Sequence, residues 1–301
     1  MHPDVAVTEF LYAHEYAEKS QRWYRGMLGT FALFCTDEGV EQVEAVTAPL
    51  VRRFFDIVRQ RTDPRTGHKV SSQTVHRYAR AVRALLNWCV REGMLDERVP
   101  KRVAMPKREE KVIPTLSADQ VELLLRVAVT VRDKAIVAVL LDTGIRANEL
   151  CTLMLDNVHF TSEDPWLLVR GKRNKCREVG LGKRARQLLH RYIYRERPRL
   201  ATADERHVFL GRRGPLTPSG LDQVLYALRD AAGAEHFRGV RVRAHVLRHS
   251  FAVSYLANGG DLFKLSRLMG HSSVQTTAEY LKAFTSRQAR QGSSSVLDAL
   301  T

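Results

Sequence analysis

The sequence predicts a mainly α protein in two parts: a helical bundle, then a mixed, mostly helical domain carrying one small antiparallel β-hairpin. Three observations predict it. Apolar residues recur with a helical period through roughly the first hundred positions. A charged stretch with three prolines, DERVPKRVAMPKREEKVIPT at 96–115, then interrupts the pattern and reads as an interdomain linker. Beyond it the helical period returns and breaks once, at WLLVR and CREVGL, two short apolar runs on either side of the basic turn GKRNK. A chain of 301 residues can bury two cores. The expected boundaries are 1–105 for the bundle, 106–114 for the linker and 115–301 for the second domain with its C-terminal tail.

The helices follow from spacing and end signals. Residues 20–39 place Tyr24, Met27, Leu28, Phe31, Phe34 and Cys35 on one face and stop at Gly39. Thr47 and Pro49 open a second helix that runs through Arg61. A third, over 72–92, turns Val75, Tyr78, Ala79, Val82, Leu85, Leu86 and Cys89 inward and Arg77, Arg80, Arg83 and Arg91 largely outward. Ser117 and Gln120 form a capping box at the start of the second domain. The next apolar helix ends at TGIR, where Gly144 turns the chain and Arg146 begins another short helix. Further helices are expected at 183–196, 218–232, 245–257, 261–268 and 273–284, separated by loops such as GRRGPLTPSG and ANGGD.

Composition narrows the function. The chain is 44% hydrophobic with no apolar run near eighteen residues, so no bilayer-spanning helix and no membrane partner are expected. The first apolar stretch carries acids and lacks the basic start of a signal peptide, so the expected location is cytoplasmic. Four widely spaced cysteines without a CxxC pair are expected to be reduced. The formal charge of +15 points to a polyanion. Residues 1–51 hold three basic and eight acidic side chains, 52–102 thirteen and five, and 103–301 thirty-two and twenty. The basic surface therefore starts near Arg52 and is shared by both halves, as expected if two domains grip one nucleic acid. Ser71, Ser72, Gln73, Thr74, Arg77 and Arg80, at the start of the basic helix, are candidates to meet phosphates or base edges. The competing reading is that they cap and solvate that helix.

The second domain carries the residues that a tyrosine needs in order to attack a phosphodiester. Tyr280, near the end of the chain, is the candidate nucleophile, forming a covalent phosphotyrosyl bond. The extra negative charge of the transition state calls for forked cationic donors, and Arg146 and Arg248 fit. A leaving oxygen needs an acid on a loop that can follow DNA, and Lys172, at the hairpin turn, is placed for this. His245, three residues before Arg248, shares its helix face and can exchange a proton with the tyrosine or donate to the phosphate. His271, after Gly270, can donate another hydrogen bond. His249 is read as a structural histidine bonded inside the fold. It lies four residues after His245 with no third ligand at suitable spacing, so no metal site is expected, and no cofactor is required.

TGIRANEL, GKRNKCREV, AHVLRHSFA and GHSSVQTTAEY, in that order and at these separations, closely resemble the signatures of the tyrosine recombinases, the phage-integrase and Xer-like group. The resemblance covers almost the whole chain. It implies that the first part is a core-binding (SAM-like) DNA-binding domain and the second the catalytic domain, together a C-shaped clamp on duplex DNA. It matches Arg146, Lys172, His245, Arg248 and His271 to the activating residues and Tyr280 to the nucleophile, and Glu149 to an acid that steadies the site. Lys175 is held as a phosphate-contacting neighbour. Asn148 stands where the family often has serine and Arg173 where it often has glycine. The implied partners are double-stranded DNA target sites, bound by a homotetramer on two duplexes, and accessory proteins are left open. The tail ends in VLDAL, a short apolar segment that either docks on a neighbouring subunit or frays. A type IB topoisomerase-like activity, or a non-cutting DNA-binding regulator of the same fold, remain as alternatives.

Overall fold

The computed structural model describes residues 1–64, 67–107, 109, 113–160, 163–171, 175–271 and 273–292, with the backbone alone at 283 and 285–292. It divides into two compact units, Met1–Lys111 and Val112–Thr301.

The first unit holds α1 (Pro3–Tyr12), α2 (Glu18–Asp37), α3 (Ala48–Gln60), α4 (Ser72–Arg91) and α5 (Arg98–Arg102). Helix α4 packs against all four of the others, and its Val75, Ala79, Val82, Leu85, Leu86 and Cys89 are buried in one core with Phe10, Phe31 and Phe54. Thr47 caps α3 by accepting from the Leu50 N–H, and Ser71 caps α4 by accepting from the Thr74 N–H. Two elements lay below the sequence signal. One is α1, which buries Ala6, Val7, Phe10 and Leu11. The other is α5, inside the stretch 96–115 that reads as a linker. Its Pro100 is buried, and the Val103 that follows it joins the same core. Arg83 also departs from its expected outward place: it is half-buried, and its guanidinium donates to the Val103 carbonyl. The start of the proposed linker is thereby fastened to α4. Of the candidate DNA-contacting residues, Arg77 and Arg80 are exposed, while Ser72, Gln73 and Thr74 are half-buried in the first turn.

The second unit begins at α6 (Ala118–Val127), where both hydrogen bonds of the Ser117–Gln120 capping box are present. Helix α7 (Val131–Thr143) is apolar on nearly every side and is buried against α6, α9 (Lys183–Arg191) and α11 (Ala244–Ala257). After α8 (Ala147–Cys151) comes a three-stranded antiparallel sheet of β1 (Val158–His159), β2 (Trp166–Arg170) and β3 (Cys176–Gly180). The expected hairpin is β2–β3, with Arg170 opposite Cys176, and β1 adds an edge too short to predict. Helix α9 passes into a π-turn over Tyr192–Glu196. Leu210 and the start of GRRGPLTPSG, a stretch expected as a loop, form a minimal pair of strands, β4 (Leu210–Gly211) and β5 (Gly214–Pro215). There follow α10 (Pro218–Ala231), α11, α12 (Leu262–Met269) and α13 (Val274–Gly292). The last three share a satellite core of Ala252, Val253, Leu256, Leu265, Met269 and Tyr280. No helix among the described residues is long and apolar enough to cross a membrane.

Candidate active site

Two left-handed glycine turns build the site. The first ends α7, where Gly144 has φ 60°. A Cβ there would be strained and would strike the Phe251 ring at 2.2 Å. The chain then emerges through buried Ile145 to Arg146, the N-cap of α8. Arg146 is locked by Glu149, whose carboxylate accepts from the Arg146 backbone N–H at 2.8 Å and from its Nη1 at 2.8 Å. The second turn ends α12 at Gly270, with φ 62°. Its carbonyl accepts from Arg146 Nη2 at 2.7 Å, so the first turn's arginine holds the second turn.

Glu149, 5% exposed, also accepts two bonds from Arg177 on β3, at 2.9 and 2.7 Å. Arg177 Nε donates to the Leu268 carbonyl at 2.6 Å, and a Cβ on Gly270 would lie 3.0 Å from Arg177 Nη1. This arginine thus joins α8, the β-hairpin and the end of α12. Burial opposes the Glu149 charge, but Arg177, the Arg146 N–H and the Arg146 guanidinium outweigh it and hold the carboxyl at about 2. Because the folded pKa lies below the unfolded value near 4.5, the stabilisation is complete above that value and is lost as pH falls towards about 2. Urea unfolding of the wild-type protein should therefore lose a few kcal/mol across that window. Glu149→Gln should be less stable near neutrality and should lack this part of the pH dependence.

Arg248, on α11, is 2% exposed, an unusual burial for a guanidinium. Its Nη1 donates to the Gly144 carbonyl at 2.6 Å and its Nη2 to the Met269 carbonyl at 2.7 Å, one acceptor from each glycine turn. Nη2 also meets His271 Nε2 at 2.9 Å. A guanidinium only donates, so Nε2 is the acceptor and the ring proton is on Nδ1, which faces Thr277 Oγ1 at 2.8 Å. In this arrangement both ring nitrogens of His271 are engaged by protein partners. Burial, then the charges of Arg248, Arg146 and Arg177, pushes His271 down to about 4. Burial and the neighbouring Arg146 likewise bring Arg248 down to about 10.

Tyr280, 4% exposed, enters from α13 with its ring parallel to that of His271 at 6.2 Å between centroids. Its hydroxyl lies 2.8 Å from His249 Nδ1. Burial raises the phenol's pKa, and Arg248 and Arg146 work against that rise. His249 is brought down to about 4 by burial and by His245, Arg248 and His271. His245 retains solvent exposure but lies over dense protein, and that partial desolvation, then Arg248 and Arg146, pushes its pKa down. The His245 and His249 rings meet edge to face at 4.2 Å.

Arg146, Glu149, His245, Arg248, His271 and Tyr280 thus come together in one cluster. Lys172 lies outside the described residues. Its neighbour Gly171 sits against this cluster, with the direction of its missing Cβ 3.6 Å from Glu149 Oε1, and closes the hairpin by donating to the Lys175 carbonyl at 2.8 Å. Lys175 is exposed. Residues 293–301, with the VLDAL segment, are also outside the described residues. Two members escaped sequence reasoning. Arg177 carried a signal, since strand alternation places it on the same face as buried Val179. His249, read as a histidine bonded inside the fold, is half-buried, and the partner that spacing did not name is the tyrosine hydroxyl. Among the described residues no three His, Cys, Asp or Glu side chains are placed to share a metal ion. Three guanidiniums around neutral imidazoles and a buried phenol suit a group that gains negative charge.

Residues 114–287 match the model of the phage integrase family. The chain is 31% identical over 274 residues to the tyrosine recombinase XerC of Anoxybacillus flavithermus, covering 88% of this chain and 87% of that protein. It is 30% identical over 249 residues to the tyrosine recombinase XerD of Listeria monocytogenes, covering 75% and 82%. Its fold is similar to the crystal structure of the XerH site-specific recombinase bound to palindromic difH substrate, with a TM-score of 0.72 over 90% of this chain and 78% of that one at 20% identity. A family model spanning more than half the chain and relatives matched along most of their length give one conclusion: the protein belongs to the phage integrase family of tyrosine recombinases.

Proposed function

We propose that the protein is a site-specific DNA recombinase that cleaves each strand by attack of Tyr280 on a phosphodiester. The attack leaves a 3′-phosphotyrosyl link and a free 5′-hydroxyl, and the hydroxyl of a partner duplex then attacks that link. One observation carries this reading: a tyrosine from the end of the chain lies buried beside Arg248 and within the field of Arg146. Arg248 commits three hydrogen bonds to the two glycine turns and His271, which fix the guanidinium beside the phenol, where it can meet an incoming oxygen. Arg146, half of whose fork is held by Glu149, presents its exposed side to the same oxygens. His245, which keeps solvent exposure, completes the phosphate pocket, and His271 steadies the Arg248 guanidinium from behind. Lys172 is the acid for the leaving 5′ oxygen, on a hairpin whose base is anchored by the Gly171–Lys175 bond.

The first unit serves as the core-binding domain, with Arg77 and Arg80 towards the DNA backbone and Ser72, Gln73 and Thr74 beside them, and Lys175 adds a contact from the catalytic half. Two duplexes are joined in a homotetramer. Exchange of one phosphodiester for another conserves bond energy, so the cycle calls for neither ATP nor a metal ion. Incubating the full chain with a pool of nicked suicide duplexes with randomised arms, in EDTA and without ATP, tests the reading. A covalent protein–DNA adduct on a denaturing gel is expected, whereas relaxation of plasmid without any captured adduct or recombinant would contradict it.

A further inference from the structure

We infer that His249 is a further catalytic residue, whose Nδ1 takes the proton of the Tyr280 hydroxyl as the phenol oxygen bonds to phosphorus. The inference rests on Tyr280 being the nucleophile. Its basis is contact: His249 Nδ1 lies 2.8 Å from the Tyr280 oxygen, the distance from which a proton can pass without rearrangement. His271, whose ring lies parallel to the tyrosine's, has its two nitrogens committed to Arg248 and Thr277. His245 meets the His249 ring, and being exposed it places solvent one residue beyond the acceptor. Among the described residues the phenol proton therefore has one immediate basic nitrogen, His249 Nδ1.

The bonds balance. The phenol O–H bond breaks and its proton goes to Nδ1, the oxygen–phosphorus bond forms, and the bond from phosphorus to the 5′ oxygen breaks. The 5′ oxygen leaves as a hydroxyl after taking a proton from the acid on its own side, Lys172 in the proposed function. In rejoining, the 5′-hydroxyl attacks, and the imidazolium of His249 returns its proton to the departing phenol.

The electrostatics decide the timing of the transfer. His249 faces His245 and Arg248 on its own helix, His271 at the end of α12 and Tyr280 on α13. The charges among these, with burial, bring His249 down to about 4, while burial raises the phenol. A standing phenolate–imidazolium pair is therefore disfavoured in the resting protein, and the proton must move with the attack rather than before it. The resting imidazole is neutral throughout the physiological range, which is the form a base needs.

His249→Asn tests the assignment, because asparagine offers an acceptor near the position of Nδ1 and cannot take a proton. Single-turnover cleavage of the nicked duplex selected by the wild-type protein is expected to slow by ~10²-fold or more, with DNA affinity and thermal stability kept. The variant's rate should climb roughly tenfold per pH unit above neutrality, as solvent must then supply the phenolate, and the wild-type rate should stay flatter. Cleavage at the wild-type rate, or a defect that pH does not change, overturns the inference. A second measurement needs no variant. With sulfur in place of the bridging 5′ oxygen the leaving group needs no proton, so the wild-type protein should keep a solvent deuterium isotope effect, and its absence also overturns the inference. An adduct at a residue other than Tyr280 would instead sink the proposed function itself.

Discussion

Tyr280→Phe is expected to bind DNA as tightly as the wild-type protein and to form no covalent adduct with it. The phenylalanine ring keeps the place of Tyr280 in the satellite core among Ala252, Val253, Leu256, Leu265 and Met269. What disappears is the oxygen 2.8 Å from His249 Nδ1. The loss of that hydrogen bond costs about 1 kcal/mol of stability, too little to unfold a domain. It removes the only protein atom in the proposed mechanism that bonds to phosphorus, so the chemical step should vanish. A denaturing gel of the nicked duplex incubated with the variant checks this, with an affinity measurement beside it. An adduct that persists would reassign the nucleophile.

Arg248→Ala is expected to lower cleavage by at least ~10²-fold, as the loss of a preorganised donor to a developing oxyanion does. It should also destabilise the fold. The Gly144 and Met269 carbonyls each lose a buried donor, at about 1–3 kcal/mol for each orphaned group. Those carbonyls belong to the two turns that present Arg146 and His271, so the effects on rate and stability have one source. Arg248→Lys separates them: a lysine can recover one carbonyl and keep the charge, but a point charge on a flexible stem does not reproduce a fork. The lysine variant should therefore regain stability before it regains rate. Chemical denaturation and single-turnover cleavage of both variants give the comparison, and unimpaired cleavage by a folded variant would remove Arg248 from the site.

The parts of this structure legible in the sequence are those fixed locally. The Ser117–Gln120 box, the Gly144 turn before Arg146 and the alternation of WLLVR each depend on residues within a few positions of one another. Helix α5 was hidden because its five residues, with a proline inside them at 100 and another soon after at 106, are too few to show a period. Arg177 and His249 were hidden for another reason. Their partners are distant in the chain: Glu149 is 28 positions from Arg177, and Tyr280 is 31 from His249. An arginine in a basic hairpin reads as solvated until the carboxylate that buries it is in place. A histidine four residues after another on one helix reads as interior until the helix carrying the tyrosine packs over it. Spacing could nominate Arg146, Arg248 and His271, but it could not show that the two glycine turns interlock through Arg248 and Arg146.

The central claim is that one phenol oxygen, held at this guanidinium cluster, is the atom that takes the DNA strand. Digesting the wild-type adduct with protease and nuclease and sequencing the nucleotide-bearing peptide by mass spectrometry tests it most directly. The account predicts a 3′-phosphonucleotide on Tyr280 within the segment from Val274. A modified serine, histidine or any other tyrosine would contradict it.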